Sequence, residues 1–203
     1  MNLSAEERAR RIKIILFDVD GVLTDGTIWV SPGPVSADGH ATNLVEAKGF
    51  SAHDGTAISL ARLGGMKCGV ITKRISDTVA LRSRDLKLEF VYMGAAFKMQ
   101  AVREIMAQEG VSLDEIAYVG DDVIDLPVMR QCGFAVAVKN ARPQVLAAAH
   151  YVTPSRGGDG AGRDAIEFIL TAKGLLDQCI EAYIDESNPI SPSMDIGKGK
   201  EQE

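Results

Sequence analysis

Short apolar runs alternate along this chain with amphipathic stretches, and the alternation predicts the architecture. Ile14-Ile15-Leu16-Phe17 is apolar at every position, the pattern of a strand buried on both faces, as in parallel sheets. Lys67-Cys68-Gly69-Val70-Ile71 reads as a second strand, Glu89-Phe90-Val91-Tyr92 as a third, Ile116-Ala117-Tyr118-Val119 as a fourth and Phe134-Ala135-Val136-Ala137 as a fifth. Helical patterns lie between them at about residues 55–63, 75–86, 96–109, 124–131 and 143–149. Such alternation predicts an α/β fold with a three-layer, Rossmann-like parallel sheet and helices on both faces. Residues 24–48 break the pattern: Thr27-Ile28-Trp29-Val30, a Pro32-Gly33-Pro34 loop with Gly39, and Thr42-Asn43-Leu44-Val45 predict a projecting β-hairpin. Gly157, Gly158, Gly160 and Gly162 predict a flexible loop before a helix reaching Lys173. From about Ser187 the chain is rich in Ser, Pro, Gly and charge and is expected to be disordered.

Composition narrows the classes. The chain has 203 residues, 46% hydrophobic and 25% charged, the balance of a globular domain with a sizeable core. A net charge of -6 argues against nucleic acid as a partner, so a small anionic substrate needs local lysine, arginine or metal. The three cysteines, Cys68, Cys132 and Cys179, have no metal-ligand spacing and are expected to be packed thiols in a reducing, cytoplasmic compartment. Neither a secretory signal nor a membrane span fits the N-terminal residues, where Asp18 ends a short apolar run.

The strand ends carry the candidate chemistry. Asp18 and Asp20 follow the first strand, Thr72 the second, Gly94 the third, and Gly120-Asp121-Asp122-Val123-Ile124-Asp125 the fourth; Lys98 stands near the start of a helix. In open α/β sheets ligands collect at the carboxyl ends of the strands. Taken singly, each feature has a plain structural reading: a capped strand end, a helix-flanking threonine, a solvated lysine, an aspartate N-cap. Together they place an acid pair, a hydroxyl, a lysine and an acid cluster beside one sheet edge. Carboxylates without neighbouring histidine or cysteine favour a hard, oxygen-seeking cation, and Mg²⁺ fits best. One aspartate can then act as a covalent nucleophile, Asp20 can move protons, and Lys98 can hold charge at a phosphoryl group.

Asp18-Val19-Asp20-Gly21-Val22, Ile71-Thr72, Lys98 and Gly120-Asp121-Asp122-x-x-Asp125 resemble, in order, the four motifs of the haloacid dehalogenase-like phosphatases. Val19 to Gly26, Phe50-x-x-x-Asp54-Gly55, and Tyr118 to Met129 more narrowly resemble the 3-deoxy-D-manno-octulosonate 8-phosphate phosphatases, a similarity covering about residues 12–173. The resemblance implies Asp18 as nucleophile, Asp20 as general acid/base, and Thr72 and Lys98 at the phosphate. It implies Mg²⁺ held by Asp18, the Asp20 backbone carbonyl and Asp121, with Asp122 and Asp125 outside the metal's own shell. His53, Asp54, Gly55, Arg74, Arg82 and Lys98, with Asp20, would line the substrate site. The chain departs from the pattern where Lys73 replaces a glycine and where His53 and Ser59 stand in place of arginines.

The spacing leaves no room for an inserted cap domain between Asp18 and Thr72 or between Thr72 and Lys98. The resemblance implies instead a homotetramer in which the 24–48 hairpin of one subunit covers the neighbour's site. Ile28, Trp29, Val30, Leu44 and Val45 would suit that interface; a hairpin folded onto its own domain is the alternative. Residues 1–11 read as an N-terminal extension, 12–175 as the phosphatase domain and 176–203 as a helix and tail. The leading expectation is a Mg²⁺-dependent phosphatase of a phosphorylated sugar acid, most simply 3-deoxy-D-manno-octulosonate 8-phosphate. A nonulosonate 9-phosphate or another phosphosugar is an alternative substrate. A non-catalytic tetramerising module and a signalling receiver domain are alternatives in class. His40, His150 and Cys132 are expected to be structural or solvent-facing, and Arg163 a candidate contact for a substrate carboxylate.

Overall fold

The computed structural model describes residues 3–34, 36, 39 and 43–187. In chain order these form α1 (Ala5–Ala9), β1 (Ile14–Phe17), β2 (Trp29–Pro32), β3 (Leu44–Ala47), α2 (Ala52–Leu63), β4 (Lys67–Ile71), α3 (Asp77–Asp85), β5 (Phe90–Tyr92) and α4 (Lys98–Glu109). There follow β6 (Ile116–Gly120), α5 (Leu126–Met129), β7 (Phe134–Ala137), α6 (Pro143–Ala148), β8 (Tyr151–Val152), α7 (Ala161–Lys173) and α8 (Leu176–Ile184).

Six of the strands make one sheet in the order β5-β4-β1-β6-β7-β8, and every neighbouring pair is parallel. The chain runs outward from β1 through β4 to β5, then returns to the other side of β1 for β6, β7 and β8. This reversal opens a crevice between the carboxyl ends of β1 and β6. Phe17 lies opposite Val119 of β6 and Val70 of β4, so the residues after Phe17, Ile71 and Gly120 leave the sheet at one edge. All four residues of β1 are buried, in agreement with the unbroken apolar run. Helices α1, α2, α7 and α8 pack together on one face, and α4, α5 and α6 form a second group on the other.

The elements depart from expectation at their boundaries, for local reasons. Strand β2 starts two residues later than Thr27, and Thr42 lies outside the described residues. Asp25 Oδ1 accepts from the Thr27 backbone at 2.8 Å and Thr24 Oγ1 from Gly26 at 3.2 Å, so residues 24–27 are tied in side-chain turns. Ala5–Ala9 is helical because Ser4 and Glu7 form a reciprocal capping box. This helix is tied to the body by Arg8 Nη1 donating to Gly133 O at 3.0 Å and Arg10 Nε to Ala172 O at 2.9 Å. No cap domain is inserted: a hairpin and α2 separate β1 from β4, and the nine-residue α3 separates β4 from β5. His40, and the tail from residue 188, lie outside the described residues.

Candidate active site

Asp18 is the first residue beyond β1, and its backbone N–H still bonds to Val119 O of β6 at 3.0 Å. The sheet therefore fixes its Cα. Its side chain is fixed as well: Oδ1 accepts from the Val19 backbone at 2.7 Å and pairs with Lys98 Nζ at 2.9 Å. Lys98 opens α4 and is buried. Its ammonium also donates to Asp125 Oδ1 at 2.7 Å and to the Tyr118 hydroxyl at 3.0 Å. Tyr118 in turn donates to Asp125 Oδ1 at 2.8 Å. Asp125 Oδ2 accepts from the backbones of Asp121 and Asp122 at 3.0 and 3.2 Å. Four donors thus fill the lone pairs of the Asp125 carboxylate. Asp125 holds Lys98 and folds the Asp121-Asp122 turn, and its oxygens are taken. The exposed Asp122 carboxylate caps Val123 at 2.7 Å.

Asp121 is in a different condition. Its Oδ1 is buried with no hydrogen-bond partner among the described residues. Gly21, at φ 93°, presses its Cα so close that any Cβ there would collide with the Asp121 carboxylate. Carboxylate oxygens of Asp18, Asp121 and Asp125 lie within 4.8 Å of one another. Burial, with the charges of Asp18, Asp125 and Asp122 adding to it, pushes Asp121 up to about 7. Burial likewise pushes Asp18 up to about 6, with Lys98 opposing and Asp125 reinforcing the rise. A buried unpaired oxygen among crowded carboxylates is costly. A cation relieves it, and an all-oxygen donor set fits Mg²⁺. Since Asp125 is saturated, Asp18 and Asp121 are the carboxylates left to bind it.

Thr72 directly follows β4 and is buried; its backbone N–H bonds to Tyr92 O at 2.9 Å and its hydroxyl accepts from the Arg74 backbone at 3.3 Å. The hydroxyl proton remains available for an anion. On this side the structure supplies two residues that the sequence reading does not contain. Lys48, just beyond β3, forms an ion pair and hydrogen bond with Asp20 Oδ1 and lies 3.7 Å from Glu46 Oε1, its side chain wholly buried. Glu46 Oε2 accepts from Arg74 Nη2 at 2.9 Å, while Oε1 accepts from the Ser76 hydroxyl. Arg74 Nε lies 3.8 Å from Asp20 Oδ2. The returning strand of the hairpin therefore builds one wall of its own subunit's site. Strand alternation alone carries no sign of this, because Lys48 follows a strand whose residues are mostly exposed.

Most of the remaining residues singled out in the sequence stand on helices α2, α3 and α7. Asp54, on the first turn of α2, is only 3% exposed, and its Oδ1 accepts from the Arg163 backbone at 2.9 Å. Its carboxylate caps α7 rather than opening toward a ligand. Gly55 faces Arg82, whose Nη2 would lie 2.9 Å from a Cβ at that position. The Arg82 guanidinium carbon lies 5.9 Å from the Phe50 ring centroid, and its Nε is buried without a hydrogen-bond partner among the described residues. His53 is exposed at the start of α2. Arg163 Nε pairs with Glu167 at 2.6 Å on its own helix. His150 Nδ1 accepts from the Ala135 backbone at 2.9 Å, a structural role, and burial pushes Cys132 up to about 12, which makes it an inert packed thiol.

Comparison with known proteins agrees with this geometry. Residues 70–163 match the family model of the haloacid dehalogenase-like hydrolases. The chain is 35% identical over 171 residues to the 3-deoxy-D-manno-octulosonate 8-phosphate phosphatase of Escherichia coli K12, covering 84% of this chain and 86% of that protein. Its structure resembles that of the Yersinia pestis 3-deoxy-D-manno-octulosonate 8-phosphate phosphatase, with a TM-score of 0.77, 35% identity, and coverage of 85% of this chain and 88% of the other. It also resembles the Moraxella catarrhalis phosphatase of that kind, solved with a magnesium ion, a phosphate ion and a KDO molecule. There the TM-score is 0.78 and the identity 32%, over 88% of this chain and 97% of the other.

Proposed function

The chain belongs to the 3-deoxy-D-manno-octulosonate 8-phosphate phosphatase family of haloacid dehalogenase-like hydrolases, and from that premise we propose how its residues divide the work. It is a Mg²⁺-dependent phosphomonoesterase of a phosphorylated sugar acid, working through an aspartyl-phosphate. The specific sugar we propose is 3-deoxy-D-manno-octulosonate 8-phosphate. One observation supports the roles above all: a buried lysine bonded to carboxylates of two loops, beside a third carboxylate with an unpartnered oxygen.

Asp18, which the Val19 N–H and Lys98 keep from swinging, attacks phosphorus and displaces the sugar alcohol. Asp20 delivers a proton to the departing alkoxide, then takes one from the water that attacks the aspartyl-phosphate. Lys98 and the Thr72 hydroxyl hold the phosphoryl oxygens as charge develops on them. Asp18, Asp121 and the Asp20 backbone carbonyl would hold Mg²⁺, which when bound offsets the crowded carboxylates and draws charge from the phosphoryl group. Asp125 keeps Lys98 in place, and Asp122 folds the turn that carries Asp121. The family resemblance assigns the sugar side of the site to His53, Gly55, Arg74 and Arg82, with Asp20 and Lys98. Arg74, held by Glu46, supplies a guanidinium for a carboxylate or hydroxyl.

A cap-less site must still exclude water. We place that task on assembly: a homotetramer in which the hairpin of one subunit covers the next subunit's site. Trp29 is 67% and Leu44 72% exposed at the hairpin, and Ile75 is 80% and Phe97 79% exposed beside the Thr72 and Lys98 loops. Two apolar surfaces of this kind favour each other's company over water. Full activity at monomeric mass would contradict the covering. Free, buried Cys68, Cys132 and Cys179 support a reducing, cytoplasmic setting. We take residues 12–175 as the catalytic domain.

Phosphate release from a panel of phosphorylated sugar acids tests the reading. Activity that vanishes with EDTA, returns with Mg²⁺ and is lost in Asp18→Asn is expected. No release from any phosphosugar would sink it.

A further inference from the structure

Two features singled out in the sequence play no direct part in the chemistry above: Asp54 and the glycine run at 157–162. The structure joins them. Asp54 Oδ1 accepts from the Arg163 N–H at 2.9 Å, at the open end of α7, where an anion also meets the favourable pole of the helix dipole. Gly162 permits this approach, since a Cβ there would lie 3.0 Å from Asp54 Oδ1 and 3.3 Å from Leu23 Cδ2. The loop leading into α7 is pressed in turn onto the segment after Asp20. Gly158 N–H donates to Val22 O at 2.9 Å, and a Cβ at Gly157 would collide with Gly21 O. Asn140 Oδ1 holds the same loop from the far side, accepting from Gly157 N–H at 2.9 Å. Gly21, finally, packs directly against the Asp121 carboxylate. A continuous set of contacts therefore runs from α2 through the start of α7 to the turn bearing Asp20.

We propose that Asp54 is a positioning residue: by anchoring the N-terminus of α7 it presses the glycine loop onto the Gly21–Asp25 turn and so sets the placement of Asp20 and Gly21. It does not touch substrate. The proposal rests on the phosphatase reading above. Burial is the largest influence on the Asp54 carboxyl and pushes it up to about 6, and its Oδ2 has no hydrogen-bond partner among the described residues. A carboxylate in that position strains against its surroundings, and an exposed helix cap would do the same capping without that cost.

The test compares Asp54→Ala, Asp54→Asn and Gly162→Ala, with wild type and Asp20→Asn as controls, using the same sugar phosphate. Asp54→Ala is expected to lower kcat by roughly 10- to 100-fold, the scale of a displaced catalytic group, with KM unchanged. Asp54→Asn keeps an oxygen for the Arg163 N–H and should recover most of that loss. Gly162→Ala pushes the helix end away and should lower kcat in the same way, yet add nothing once Asp54 is already alanine. A raised KM with kcat intact would mean that Asp54 binds substrate, and would overturn the proposal. A lower melting temperature with unchanged kinetics would reduce Asp54 to a structural cap, and overturns it too. If Asp54→Ala does not fold, Asp54→Asn and Gly162→Ala still decide. Failure of wild type to release phosphate counts instead against the phosphatase reading.

Discussion

Two lysines flank the Asp18-Asp20 pair, and each puts its ammonium between two carboxylates. Lys98 lies between Asp18 and Asp125, Lys48 between Asp20 and Glu46. Their settings differ. Lys98 opens a helix at the edge of the central sheet; its acceptors are buried, and Tyr118 closes the network. Lys48 follows an exposed hairpin strand, and its network extends through Glu46 to Arg74, which is 46% exposed. The first arrangement is suited to fixed chemistry, because charges in a dry interior act strongly and cannot rearrange cheaply. The second is suited to choosing a substrate, since it is carried by the most variable kind of element and opens to solvent.

The largest expected effect comes from Asp18, the proposed nucleophile, which pairs with Lys98. Asp18→Asn should abolish phosphate release while leaving the fold intact, measured by turnover and a thermal melt. Next comes Lys98→Met. It strands Asp125 and Asp18 as buried carboxylates without their cation, so stability should drop by about 3–5 kcal/mol. Turnover should also fall by roughly 10²- to 10³-fold; denaturant unfolding and kinetics check both. Lys48→Met should cost less, about 10-fold in kcat/KM for the sugar phosphate, and less stability than Lys98→Met, because the Asp20 and Glu46 side chains keep 21% and 19% of their surface in water. If Lys48→Met destabilises as much as Lys98→Met, the two lysines do the same job and the contrast fails.

A smaller effect sharpens the picture of the acid cluster. Burial raises Asp18 and Asp54 to about 6 and Asp121 to about 7, against ~3.9 in an unfolded chain. A raised carboxyl favours the folded state while it is protonated, and that contribution is lost as pH rises through the folded value. Without a divalent ion, the melting temperature should therefore fall as pH rises from about 4 to about 7. Mg²⁺ needs ionised ligands, so its stabilising effect should grow over the same window. Melts with and without Mg²⁺ at several pH values measure this, and a Mg²⁺ effect independent of pH would contradict the cluster as the binding site.

The same contrast governs what could be read from the chain. β1, β4, β6 and β7 were legible because strands buried on both faces leave unbroken apolar runs, and Asp18, Thr72 and Asp121 because they follow those runs directly. Lys98 was legible through the family motif. Lys48 was not, because its place depends on how the hairpin returns, and no periodicity encodes that. The capping of α7 by Asp54 was hidden for a related reason: the partner is a backbone N–H at position 163, distant in sequence. Helix α1 escaped notice because five charged and small residues show little periodicity, and only its Ser4/Glu7 box and buried Ala9 mark it.

In the proposed reaction, phosphorus passes first to Asp18 and then to water. Each transfer inverts the configuration at phosphorus, so the sugar's isotopically chiral phosphorothioate ester, hydrolysed in isotope-labelled water, should yield inorganic thiophosphate with net retention. Net inversion would mean that water displaces the sugar directly, and Asp18 could then no longer be the nucleophile.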